Sequence, residues 1–175
     1  MIRMIESKET QLEIFQGLKK EEIAQLQPFL EIRKFPKGKT IFFQGDAAKY
    51  LYILVYGEVD VRYKPYDAPA LTVARIKKGM VFGWSAAMNR ESYTSAAIAK
   101  TDCSAYRIHA DALHHLCDYF PETGAIFLDH LAGLISRRIQ STHSEILNIL
   151  KGELDTNGEC LRRIQNNGTE PESLS

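Results

Sequence analysis

The sequence predicts a mainly β protein with flanking α elements: an antiparallel β-barrel or jelly roll, entered by N-terminal helices and left by one long C-terminal helix. Three observations carry this. Short runs rich in β-branched and aromatic residues recur about every 10 residues, glycines punctuate them, and helical spacing of apolar residues is confined to the two ends.

Residues 1–27 are expected to form N-terminal helices. Leu12, Ile14, Phe15 and Leu18 fall at roughly helical spacing over 8–18, and Ile23 and Leu26 mark a second piece over 21–26. Pro28 breaks that pattern, and the β region spans 28–110. Its runs are FLEIRKF (29–35), TIFFQ (40–44), YLYILVY (50–56), EVDVRY (58–63), LTVARI (71–76), SAAIAK (95–100) and SAYRIH (104–109). Several alternate with period two, as half-buried strands do.

Residues 111–155 return to helical texture. Leu113, Leu116 and Phe120 predict a short helix, and Pro121 suits the first turn of a long one reaching to about 154. Roughly 30 residues at ~1.5 Å each extend about 45 Å, more than a small barrel needs for its own cover. Ala132, Ile135, Ile139, Thr142, Ile146 and Ile149 keep an a/d heptad register, which predicts a two-stranded seam and a homodimer. The alternative is that this stripe packs on the chain's own barrel. Residues 156–175 are polar and glycine-broken and read as a flexible tail.

Composition narrows the function. Lysine and arginine total 22 against 22 aspartates and glutamates, so nothing draws the chain in bulk to nucleic acid or an anionic membrane. Cys103, Cys117 and Cys160 are far apart and odd in number, which suggests reduced thiols and a cytoplasmic setting. The longest apolar run, 50–56, is far short of a membrane span. His109, His114 and His115 in HADALHH, with His130 and His143, lack metal-ligand spacing and are expected at the surface, so no metal is expected. No nucleophile, phosphate-loop or zinc-hydrolase motif occurs, and a non-enzymatic role follows. The last 20 or so residues, with only Arg162 and Arg163 as a basic pair, are too few for a helix-turn-helix, so direct nucleic-acid binding is not expected.

The segment PKGKTIFFQGDAAKYLYILVYGEVDV (36–61), followed by FGWSAAM (82–88) and YTSA (93–96), resembles the cyclic-nucleotide-binding domain family over about residues 15–150. The resemblance implies a sensor domain with a phosphate-binding cassette between two strands. Phe82, Gly83 and the small residue Ala86 match the first half of that cassette, and Thr94 and Ser95 match the small or hydroxyl pair of the second. Trp84 stands where the family has the glutamate that takes the ribose hydroxyl, and Tyr93 where it has the arginine that pairs with the cyclic phosphate.

Backbone N–H groups that open a short helix after glycine form an anion site, and Ser85 and Thr94 would add hydroxyl donors. Charge-assisted hydrogen bonds contribute about 1.5 to 3 kcal/mol each, so without the glutamate and arginine cAMP should bind roughly two to four powers of ten more weakly. Arg90, in the loop between the two halves, would either swing toward the phosphate or stay solvated. Trp84 would either stack on a flat base or plug the pocket.

The expected function is a stand-alone sensor for a small anionic or aromatic ligand, with no fixed cofactor, signalling through the long helix to a second copy or a partner protein. The alternative is a ligand-free dimerisation or interaction scaffold. Trp84 and Tyr93 separate the two: both lining an open cavity favours sensing, while Trp84 in the core and Tyr93 closing the pocket favour the scaffold.

Overall fold

The run 50–56 is apolar at every position because the strand it forms is covered on both sides. In the computed structural model, which describes residues 10–156, β3 (Tyr50–Tyr56) buries Leu51 and Ile53 in one core and Tyr52 and Leu54 in another. Successive side chains of a strand point to opposite faces, so one strand serves two cores.

The other strands are β1 (Glu31–Phe35), β2 (Thr40–Phe42), β4 (Val59–Tyr63), β5 (Leu71–Ile76), β6 (Val81–Phe82), β7 (Ala96–Ala99) and β8 (Cys103–His109). They form two four-stranded sheets in the orders β1-β8-β3-β6 and β2-β7-β4-β5, antiparallel throughout. The sheets are separate, so the architecture is the jelly roll and not a closed barrel. Every expected β run contains a strand. The additional β6 has two residues, too few to show a period.

The space between the sheets is filled by Phe42, Tyr52, Phe82 and Tyr93, with Ala97, Ala99 and Ala105 fully buried beside them. Small residues on β7 and β8 leave room for rings from the facing elements. On the other face of the first sheet, Ile53, Tyr106 and Ile108 meet Leu26, Leu113, Leu116, Phe127 and Leu131 from the helices. Gly57, at φ +86°, turns β3 into β4 where a Cβ would fall 2.6 Å from the Cys103 Cβ, so no side chain fits.

The N-terminal segment departs from expectation. Over 10–19 the chain makes only a 3₁₀ turn, Glu13–Phe15, because Leu12, Ile14 and Phe15 all enter the core from one tight turn, and Gly17 (φ +79°) leads out of it. The second piece is α1 (Lys20–Leu26), where Glu22 accepts the Lys19 N–H at 2.7 Å in a capping box. After the sheets come α2 (Ala110–Tyr119) and α3 (Pro121–Thr156), as the apolar spacing indicates. The described residues fall into two units that meet in sequence at Arg137 and Arg138. The sheets, α1, α2 and the start of α3 belong to the first.

Candidate functional site

The cassette begins where β6 leaves the sheet edge. Phe82 pairs with Tyr52 across β3, and its ring stacks on Tyr52 with centroids 5.0 Å apart. Gly83 follows at φ +70°, and a Cβ there would lie 3.0 Å from the Tyr50 carbonyl oxygen and 3.1 Å from the Tyr52 ring. Only glycine brings the chain this close to β3.

Residues 84–89 then form successive turns, not the short helix expected. The Ala86, Met88, Asn89 and Arg90 N–H groups donate to the carbonyls of Gly83, Trp84, Ala86 and Ser85 at 3.0 to 3.3 Å. Those four amides are therefore committed within the segment. Asn89 takes a left-handed φ of 55°, which its short polar side chain tolerates.

The predicted residues separate in space. Phe82, Ser85, Ala86 and Tyr93 are buried, Trp84 and Ser95 are half-buried, and Arg90 and Thr94 are exposed. Arg90 carries no ion pair among the described residues and lies in the solvated loop. Trp84 packs on the core facing the helices, away from the four rings between the sheets.

Tyr93 is the decisive residue. Its ring stacks on Phe42 with centroids 3.8 Å apart and planes 17° from parallel. Its hydroxyl donates to the Tyr50 carbonyl at 2.7 Å and accepts the Tyr50 N–H at 3.0 Å. The backbone on either side is held as well: the Tyr93 N–H reaches the Asp46 carbonyl at 2.9 Å, and its own carbonyl takes the Gly45 N–H at 2.9 Å. Burial pushes the Tyr93 and Tyr52 hydroxyls above the usual tyrosine range, so both stay neutral at physiological pH.

Sequence reasoning missed the partners Phe42, Tyr50, Tyr52 and Arg107. The alternation of 50–56 places Tyr50 and Tyr52 on one face, and that was the available signal; the cross-strand partner Arg107 was not visible locally. Arg107 lies opposite Tyr52 on β8 and opposite Glu31 on β1. Its Nε meets Glu31 Oε2 at 2.6 Å, and its guanidinium sits 4.2 Å from the centre of the Tyr50 ring. The same Glu31 carboxylate also pairs with Arg33, so it bridges two guanidinium groups, one of them the cation nearest this aromatic group.

On α3, Ala132 is exposed, Ile135 is half-buried against the helix-side core of its own chain, and Ile139 is 53% exposed. Ile135 thus contributes part of its surface to the cover of its own chain's helix-side core. Thr142, Ile146 and Ile149 lie outside the described side chains. Leu128, one heptad before Ile135, is also exposed and extends the stripe upstream. His114 and His115 are at the surface, but His109 and His130 are half-buried: His109 caps α2 by accepting the Asp111 N–H, and His130 meets the Ile14 carbonyl at 3.1 Å. Cys103 is buried and Cys117 half-buried, both free. Among the described residues no cluster of His, Cys, Asp or Glu could hold a metal, and no helix is long and apolar enough to cross a membrane.

Comparison with known proteins gives this geometry its context. The profile of the cyclic nucleotide-binding domain matches residues 32–120. The chain is similar to the cAMP-activated global transcriptional regulator CRP of Pasteurella multocida, 28% identical over 145 residues, covering 82% of this chain and 66% of that protein. It spans between 59% and 66% of the length of the first curated relatives it matches. Among solved structures, a cyclic nucleotide-binding domain from Methylobacillus flagellatus superposes with a TM-score of 0.74 at 23% identity, covering 80% of this chain and 82% of that one. A cAMP-bound triple mutant of the regulatory subunit of a cAMP-independent protein kinase A from Trypanosoma brucei superposes with a TM-score of 0.59 at 24% identity, over 70% of this chain and 43% of that one. Fold and profile agree, and the chain belongs to the cyclic nucleotide-binding domain family.

Proposed function

We propose that this chain is a regulatory domain that works without a charge-paired cyclic nucleotide, as a ligand-free dimerisation and interaction scaffold built on the family's fold. One observation carries the reading: Tyr93, at the position of the phosphate-pairing arginine, is buried, stacked on Phe42 and bonded both ways to the Tyr50 backbone. An anion placed against these rings would lose its water without gaining a cation, a cost of several kcal/mol. Arg107 is already held by Glu31, and Arg90 is in solvent.

The Trypanosoma brucei protein is described as cAMP-independent, so a regulatory role in this fold need not mean a response to cAMP. In this chain the output would pass through α3, whose heptad from Leu128 to Ile149 supplies a seam for a second copy. A second reading, a sensor for an uncharged flat ligand, would require the rings of Phe42, Tyr52, Phe82 and Tyr93 to part, since they fill the space between the sheets while Trp84 packs in the helix-side core.

A thermal-shift screen separates the two. A ligand at 100 times its dissociation constant adds ~2.7 kcal/mol, readily seen as a rise in Tm. The scaffold predicts no saturable shift with cAMP, cGMP or neutral aromatic compounds at millimolar concentration. A saturable shift with neutral aromatics alone would replace it with the second reading.

A further inference from the structure

The second sheet ends on an open edge. Among the described residues β5 pairs with β4 alone, and its other side has no neighbouring strand. The pairing slips between Val61 and Arg62, which leaves Val73 without a cross-strand partner. Leu71 is 54% exposed, Val73 40%, and Tyr63, which faces Leu71 across the pair, 43%. Folded chains usually blunt such an edge by placing charge on the strand itself. Here β5 carries a single charge, Arg75, held by Asp60; the exposed positions Leu71–Val73 hold none, and further cations stand around them.

Arg62 and Lys64 on and after β4, and Lys77 and Lys78 after β5, are exposed and carry no ion pair among the described residues. Arg75 is paired with Asp60, so the nearby unpaired carboxylate is Asp67 alone. Four cations against one carboxylate make a basic rim on a chain whose total charge is zero. The hairpin is also held in place: the Gln44 side chain takes the Lys64 N–H at 2.8 Å and donates to the Lys64 carbonyl at 3.1 Å, which anchors it to the turn after β2.

We infer that the β5 edge is a docking surface for an extended acidic segment of a partner protein, which adds as a strand beside Leu71–Ile76 and sets its carboxylates against Arg62, Lys64, Lys77 and Lys78. Unpaired backbone supplies the affinity, the apolar positions set the register, and the basic rim selects the sign of the partner. A second copy of this chain would bring a like basic rim, which disfavours pairing of β5 with itself.

The test uses the full chain, labelled with ¹⁵N, and two pools of synthetic nonapeptides that alternate Val, Leu or Tyr with either Glu or Lys. The glutamate pool should shift the amides of β4 and β5 saturably, and binding should weaken at least tenfold on raising salt from about 50 to 500 mM. Arg62→Glu with Lys64→Glu should abolish the shifts while leaving Tm unchanged. Equal binding of the lysine pool, shifts centred on residues 82–95, or no shifts at millimolar peptide would overturn the inference. So would phosphatidylserine vesicles that sediment the protein while the glutamate pool leaves β5 unperturbed, since the edge would then be a membrane contact.

Discussion

A single side chain carries the proposed ligand-free reading. The Tyr93 hydroxyl satisfies one donor and one acceptor of Tyr50, and its ring completes the stack with Phe42. Tyr93→Phe keeps the ring and removes both hydrogen bonds. It should cost about 1 to 3 kcal/mol, seen as a lower midpoint in urea with an unchanged slope. Tyr93→Ala removes the ring as well and should cost about 3 to 5 kcal/mol. Equal stability of the Phe variant would mean that the hydroxyl bonds add nothing. Cys103 tests burial differently. Its thiol is pushed up to about 11, first by desolvation and then by the neighbouring Asp102 carboxylate. A group whose pKa is raised by folding stabilises the native state fully below its unfolded value and loses that contribution as pH rises through the folded one. Tm should therefore fall between about pH 9 and 11. Cys103→Ala should flatten that fall, although Tyr52 and Tyr93, raised in the same direction, keep part of it. A Tm independent of pH across this window would contradict the packing described.

The element that carries the proposed seam is α3. Its first turns have an inward duty: Phe127 and Leu131 are fully buried over the first sheet, and the Thr123 hydroxyl donates to the Gln25 side chain at 2.6 Å. Its outward stripe begins at Leu128 and continues through Ala132 to Ile139. One helix can do both because 3.6 residues per turn give it distinct faces. In the proposed homodimer Ile139→Asp and Ile146→Asp each place a charge in the seam, so by multi-angle light scattering the wild type should be a dimer and both variants monomers at the same concentration. Unchanged dimers in both variants would remove the seam assignment and leave the stripe as surface. Ile135→Asp is not equivalent. It disturbs the helix-side core of its own chain and should lower stability before it changes assembly.

At the scale of the molecule, much of the fold was legible because strands that bury one or two faces write their period into the sequence. Each β run from FLEIRKF to SAYRIH contains a strand, and both terminal helical regions appear where apolar spacing returned. The helix expected over 8–18 failed because the same spacing also serves a tight turn that inserts Leu12, Ile14 and Phe15 together. The site was legible only in outline. The resemblance singled out Phe82, Gly83 and Tyr93, but the stack on Phe42 and the clasp on Tyr50 join residues 43 to 51 positions apart, and no local pattern records such a pairing. With Tyr93 and its neighbours in the place of a charged ligand, isothermal titration of cAMP into the wild-type chain at low salt should give only heats of dilution up to millimolar nucleotide. A saturable isotherm with a micromolar Kd and one site per chain would contradict it, because Tyr93 would then have to leave Phe42 and Tyr50 to admit the phosphate.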